Sequence, residues 1–141
     1  MYQVMIFVHI LGALALGFYL VLPFVVGKVT KLSLPAQEGS AAAIRSLNTF
    51  AQFALVIQLL TGGYLMSKGD YSVPWMIVVV VLLVAIGAIG GIMGKPLRLA
   101  MDGIQKKRDI SVEAGKIRTL SALLAICVLI MTFFMVYRDI I

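Results

Sequence analysis

The chain has 141 residues, 62% of them hydrophobic and 13% charged, against roughly 45–50% and about 25% in soluble globular proteins. It lacks the polar surface that water requires and is expected to be an all-α integral membrane protein, a single transmembrane domain over 1–141. The formal net charge is +6, but the basic residues lie between apolar runs, where topology and anionic lipid account for them and a nucleic-acid partner is not expected.

A hydrocarbon layer of about 30 Å needs roughly 20 apolar residues per helix, and the sequence offers four such runs. The first helix is expected from about Tyr2 to Val26. Ala13-Leu14-Ala15 looks like a signal-peptide cleavage site, but no Lys or Arg precedes it and the apolar stretch runs on, so a spanning helix is the better reading. Pro23 removes one backbone hydrogen bond and predicts a bend, and Ala13 with Gly17 permits close helix approach. In the connection 27–46, Ser33-Leu34-Pro35 and Ala41-Ala42-Ala43 predict that the second helix starts early, outside the bilayer, with Gly39 as its weak point.

The second span, about Leu47 to Met66, carries a polar face of Asn48, Thr49, Gln52 and Gln58. Such a face bonds neighbouring helices or lines a narrow polar path. The third span, about Val73 to Gly94, holds Gly87, Gly90, Gly91 and Gly94, which suit either an internal interface or a homo-oligomer. In the connection 95–119, Leu97, Met101 and Ile104 recur at helical spacing beside Arg98, Asp102 and Lys106, predicting an amphipathic helix on the inner leaflet. Lys106, Lys107 and Arg108 then promote association with anionic lipid. The fourth span runs from about Leu120 to Tyr137 and contains Cys127, the only cysteine, read as a packing residue.

Basic residues set the orientation. Lys28, Lys31 and Arg45 lie in the first connection and Lys95, Arg98, Lys106, Lys107, Arg108, Lys116 and Arg118 in the third, whereas the second carries Lys68 and the C-terminal tail Arg138. The positive-inside rule makes the two rich connections cytoplasmic. Tyr2, Tyr64, Tyr71, Trp75 and Tyr137 then fall together at the outer interface. The expected architecture is a four-helix bundle in a bacterial inner (cytoplasmic) membrane, N-terminus and C-terminus outside.

No acidic residue falls inside a predicted span, which argues against a carboxylate proton relay. No phosphate-binding glycine loop, paired-cysteine motif or activated nucleophile is legible, so no catalytic residue is assigned and a non-enzymatic protein is expected. The one ionisable group inside a span is His9, about 10 Å below the outer boundary at 1.5 Å per residue. Gln58 falls at nearly the same depth, with Thr61 one turn above, so a His9–Gln58 hydrogen bond is the structural expectation. Two cofactor readings stand beside it. Met1, Met5 and His9 recur at i, i+4, i+8 along one face, and thioethers with an imidazole suit Cu(I). Alternatively, His9 is an axial haem ligand, either five-coordinate or opposed by methionine, lysine or the His9 of a second copy.

The run Val8-His9-Ile10-Leu11-Gly12-Ala13 with Gly17, Phe18, Tyr19 and Pro23, together with Leu60-Thr61-Gly62-Gly63, resembles a family of uncharacterised small bacterial integral membrane proteins distantly similar to the copper-resistance D domain. The resemblance spans most of the chain in layout and implies a histidine at the outward end of helix one. The first helix is also similar to that of the four-helix membrane protoporphyrinogen oxidase, in which a histidine precedes a Gly-Phe-Tyr-Leu-like run and a proline. That similarity implies a haem-linked role for His9. The chain departs from the oxidase pattern in lacking a tryptophan after the histidine, in having Phe24 where an arginine follows the proline, and in having no lysine within helix three.

Overall fold

A backbone surrounded by apolar side chains can satisfy its own polar groups only within helices or closed sheets, and here it does so with helices. The computed structural model describes residues 1–29 and 31–139 and contains α1 (Tyr2–Leu16), α2 (Phe18–Val29), α3 (Leu34–Lys68), α4 (Val73–Gln105) and α5 (Ser111–Val136). With α1 and α2 forming one broken rod, the result is an all-α bundle of four long helices, each long and apolar enough to cross a membrane. Expectations that concern Thr30, Ile140 or Ile141 lie outside the described residues.

Local sequence explains the starts. Ser33 (φ −62°, ψ 158°) precedes α3 with Pro35 in its first turn, where the missing N–H costs nothing. Ser72 caps α4, its hydroxyl accepting from the Trp75 backbone N–H at 3.2 Å, with Pro74 in that first turn. The early start of α3 is observed, and the helix passes through Gly39 without interruption. Its 35 residues extend about 50 Å at 1.5 Å per residue, well beyond a hydrocarbon layer of about 30 Å.

The first rod is interrupted at Gly17, which keeps helical angles (φ −57°, ψ −22°) while the Leu20 N–H turns back to the Gly17 carbonyl at 3.0 Å. Pro23, where a bend is expected, lies inside α2, which continues through it. Along the rod α1 packs on α3, whereas α2 packs chiefly on α5.

One expectation is corrected, in the connection after the third span. No separate amphipathic helix forms, because α4 runs through Pro96 to Gln105. Of the expected apolar face, Leu97 and Ile104 are buried against the bundle and Met101 is half-buried. Leu97 and Ile104, with Ala100, line one small cavity with Val26, Val29, Ile44 and Ile117. Helical partners on α2, α3 and α5 cover that part of the face in place of a lipid surface. Lys107, at φ 56°, ends α4 in the left-handed region, and the Arg108 N–H bonds the Gly103 carbonyl at 2.7 Å, the six-to-one closure of a Schellman turn.

The side-chain distribution is inverted relative to a soluble bundle. Within an apolar 18-residue stretch of each candidate span only 17–28% of residues are buried, and the outward surface is made of Phe7, Leu14, Phe24, Phe53, Ile77, Val84 and Leu129 among others. Burying such surface is worth about 25 cal/mol per Å² in water, so this exterior matches lipid. Tyr19, Leu22, Ile86, Met93 and Leu124 form the fully enclosed centre.

The two ends differ chemically. The end that carries both termini has Tyr71 stacked on Trp75 at 5.0 Å, with the Arg138 guanidinium over the Tyr71 ring. Trp75 itself is 3% exposed, its indole N–H donating to the Phe134 carbonyl at 2.7 Å, so it pins α4 to α5 rather than facing outward. The opposite end holds ten of the twelve Lys and Arg residues.

Candidate functional site

The antiparallel register of α1 and α3 sets His9 opposite Thr61 and Gly12 opposite Gln58. His9 Nδ1 lies 2.7 Å from Thr61 Oγ1. That oxygen also lies 2.7 Å from the Ile57 carbonyl one turn back, an acceptor only. The single hydroxyl proton therefore goes to Ile57 O, so Thr61 accepts from His9 Nδ1–H and Nε2 is left with its lone pair. Thr61 is buried and His9 half-buried. The imidazole edge runs along the α3 backbone: a Cβ on Gly62 would sit 3.4 Å from His9 Cε1, while one on Gly63 would meet nothing within 4 Å.

The expected His9–Gln58 hydrogen bond is not formed. Gln58 instead fills the hollow over Gly12, with its Oε1 2.5 Å from where a Gly12 Cβ would stand, and that buried oxygen has no hydrogen-bond partner among the described residues. Counting residues from the span boundaries placed His9 level with Gln58. In the observed register Gln58 lies over Gly12, and Thr61, nearly a turn further along α3, meets the histidine. Of the proposed thioether ligands, Met5 is half-buried one turn from His9, and Met1 precedes α1 and is 82% exposed. Among the described residues no group of three or more His, Cys, Asp or Glu could hold a metal ion.

A second polar cluster lies deeper. Tyr19 OH donates to Asn48 Oδ1 at 2.7 Å and accepts from Gln52 Nε2 at 3.2 Å, and Asn48 Nδ2 donates to the Gly90 carbonyl at 3.1 Å. Three helices, α2, α3 and α4, are thereby tied at one point. Gly90 is what allows it, since a Cβ there would lie 2.8 Å from Tyr19 OH and collide with the Gln52 amide. The polar face of the second span thus bonds its neighbours through Asn48 and Gln52, while Thr49 turns outward to the Arg45 carbonyl of its own helix. Sequence reasoning did not assign Tyr19 to this cluster. The signal was its position, as the one tyrosine of five in mid-span. Of the four glycines expected in the third span, Gly90 makes this approach, a Cβ on Gly87 would touch Leu55, and Gly91 and Gly94 face open space.

At the basic end, Lys106 pairs with Asp102 at 3.4 Å, and Arg108 reaches Asp102 at 3.6 Å and Glu113 at 3.5 Å. Two of the three cations assigned to lipid are thus partly neutralised from within, and Lys107 occupies the turn that ends α4.

No protein-family model, curated protein or solved structure matches the chain.

Proposed function

We propose that this is a non-enzymatic protein of a bacterial inner membrane, with both termini on the outer side, in which His9 serves through Nε2 as the protein ligand of a haem. The observation that carries the reading is the His9–Thr61 hydrogen bond, which holds the ring and leaves one nitrogen able to coordinate. A ligating histidine characteristically donates its other N–H in this way. The fit is that of a single-ligand site. His9 is the one histidine of the chain, so it would be the protein's single imidazole ligand to the haem iron. Gly62 and Gly63 leave a low surface beside the ring, and the surrounding apolar exterior suits a macrocycle in lipid. The bound group supplies the redox or ligand chemistry, and the residues seen here orient its ligand. The similarity of the first helix to the haem-linked oxidase points the same way.

Cu(I) held by His9, Met5 and Met1 is the second reading, favoured by the half-buried Met5 one turn from His9. The absorption spectrum of the protein in mild detergent, before and after reduction and with metal analysis, separates them. A Soret band abolished by His9→Ala supports haem. A colourless protein stabilised by Cu(I), but not after His9→Ala, supports copper. A colourless protein indifferent to both overturns the cofactor proposal and leaves His9 as a helix-to-helix hydrogen bond.

The orientation rests on the basic residues at one end and the aromatic cluster at the other. Maleimide labelling of single cysteines on intact cells, in a Cys127→Ser background, tests it.

A further inference from the structure

We propose that the groove between α4 and α5 at the basic end binds one anionic phospholipid, its phosphate held between Lys95 and Lys116. The groove has a volume of about 560 Å³ and is lined by these two lysines with Ile92, Pro96, Thr119 and Leu120, over Gly115. The inference rests on the reading of this end as lying at a membrane surface, in either leaflet.

Charge decides the occupant. Lys95 and Lys116 come from neighbouring helices and face one groove, and among the described residues neither forms an ion pair, whereas Lys106 and Arg108 both do. Two like charges over an apolar wall repel until an anion lies between them, and an ammonium group suits a phosphate as a point charge. Ile92, Pro96 and Leu120 present the apolar surface against which a glycerol backbone and upper acyl chain can pack. Gly115 keeps the space open, since a Cβ there would meet nothing within 4 Å. Thr119 donates its own proton to the Gly115 carbonyl at 3.0 Å, so its oxygen is left as an acceptor. A headgroup bearing both phosphate and hydroxyl groups, such as phosphatidylglycerol, meets all three groups. Basic pockets between spanning helices are recognised lipid sites.

The test is native mass spectrometry of the detergent-purified protein titrated with phosphatidylglycerol or with phosphatidylcholine of the same acyl chains. One saturating phosphatidylglycerol adduct is expected, at least tenfold preferred over phosphatidylcholine. Lys95→Gln/Lys116→Gln should reduce it to the phosphatidylcholine level, and Lys106→Gln/Lys107→Gln should leave it intact. Gly115→Leu keeps both charges but fills the groove, and should abolish the adduct as well; helix content by circular dichroism confirms that each variant is folded. Persistence of the adduct in the double lysine variant, its survival in Gly115→Leu, or its loss only in the loop variant would overturn the proposal, and so would a dimer that forms without lipid and dissociates in Gly115→Leu. Because the measurement is made in detergent, reversed topology in the labelling experiment would leave this result standing.

Discussion

Thr61 holds His9 by accepting the Nδ1 proton across 2.7 Å while giving its own proton to Ile57, so the geometry of one nitrogen is fixed by a residue 52 positions away in sequence. Thr61→Val removes the acceptor and keeps the shape. It should cost about 1 kcal/mol, the scale of an interhelical hydrogen bond in a membrane, and Thr61→Ser should recover most of it. Thermal unfolding in one detergent, at equal detergent concentration, reads the difference. Equal melting temperatures for wild type and Thr61→Val would show that the bond contributes nothing to stability.

Gln58 leads to a prediction of opposite sign. Its buried Oε1 lacks a partner among the described residues, and an unsatisfied buried acceptor costs about 1–3 kcal/mol. Gln58→Met, similar in length and flexible enough to fill the hollow over Gly12, should raise the melting temperature. A fall would mean that the carboxamide has a partner, such as a bound water, whose loss outweighs the gain.

Gly12 should tolerate a side chain only when Gln58 is shortened. Gly12→Ala places a Cβ against Gln58 Oε1 and should destabilise α1–α3 packing by about 1–3 kcal/mol. In Gly12→Ala/Gln58→Ala that clash is gone, and a double-mutant cycle should show a coupling of at least about 0.5 kcal/mol. Simple additivity would mean that the two residues do not touch.

Tyr19→Phe deletes the hydroxyl that serves both Asn48 and Gln52. It strands the Asn48 carbonyl oxygen and the Gln52 amide, at a cost of about 1–3 kcal/mol. Gly90→Ala should cost at least as much, because the collision it makes is with both partners at once. If Tyr19→Phe unfolds at the wild-type temperature, the cluster is solvated by water rather than closed on itself.

Orientation can be checked independently of stability. Asp70→Cys and Arg138→Cys, made in the Cys127→Ser background, lie at the end bearing the termini and should be labelled by a membrane-impermeant maleimide on intact cells. Lys107→Cys should react only after lysis. The reverse pattern would invert the topology while leaving every contact described above in place.

What was legible in the sequence follows one-dimensional rules. The four helices, the early beginning of α3 at Ser33-Leu34-Pro35 and the concentration of charge at one end can all be read from run lengths, turn residues and counting, since these depend on neighbours along the chain. His9 stood out for the same reason, as the one ionisable group in an apolar run. Its partner did not, because depth counted from uncertain helix ends carries an error of about a turn, and one turn is the difference between Gln58 and Thr61.

Composition and hydrophobic run length determined by themselves that this chain is helical and apolar on the scale of a bilayer. The tertiary structure alone decided how the rods meet: that the first is interrupted at Gly17, that α4 runs on through Pro96 with Leu97 and Ile104 inside the bundle, and that Tyr19 joins Asn48 and Gln52 over Gly90. Those outcomes depend on the close approach of residues distant in sequence, where the absence of a Cβ makes room and the register selects which polar groups can find each other.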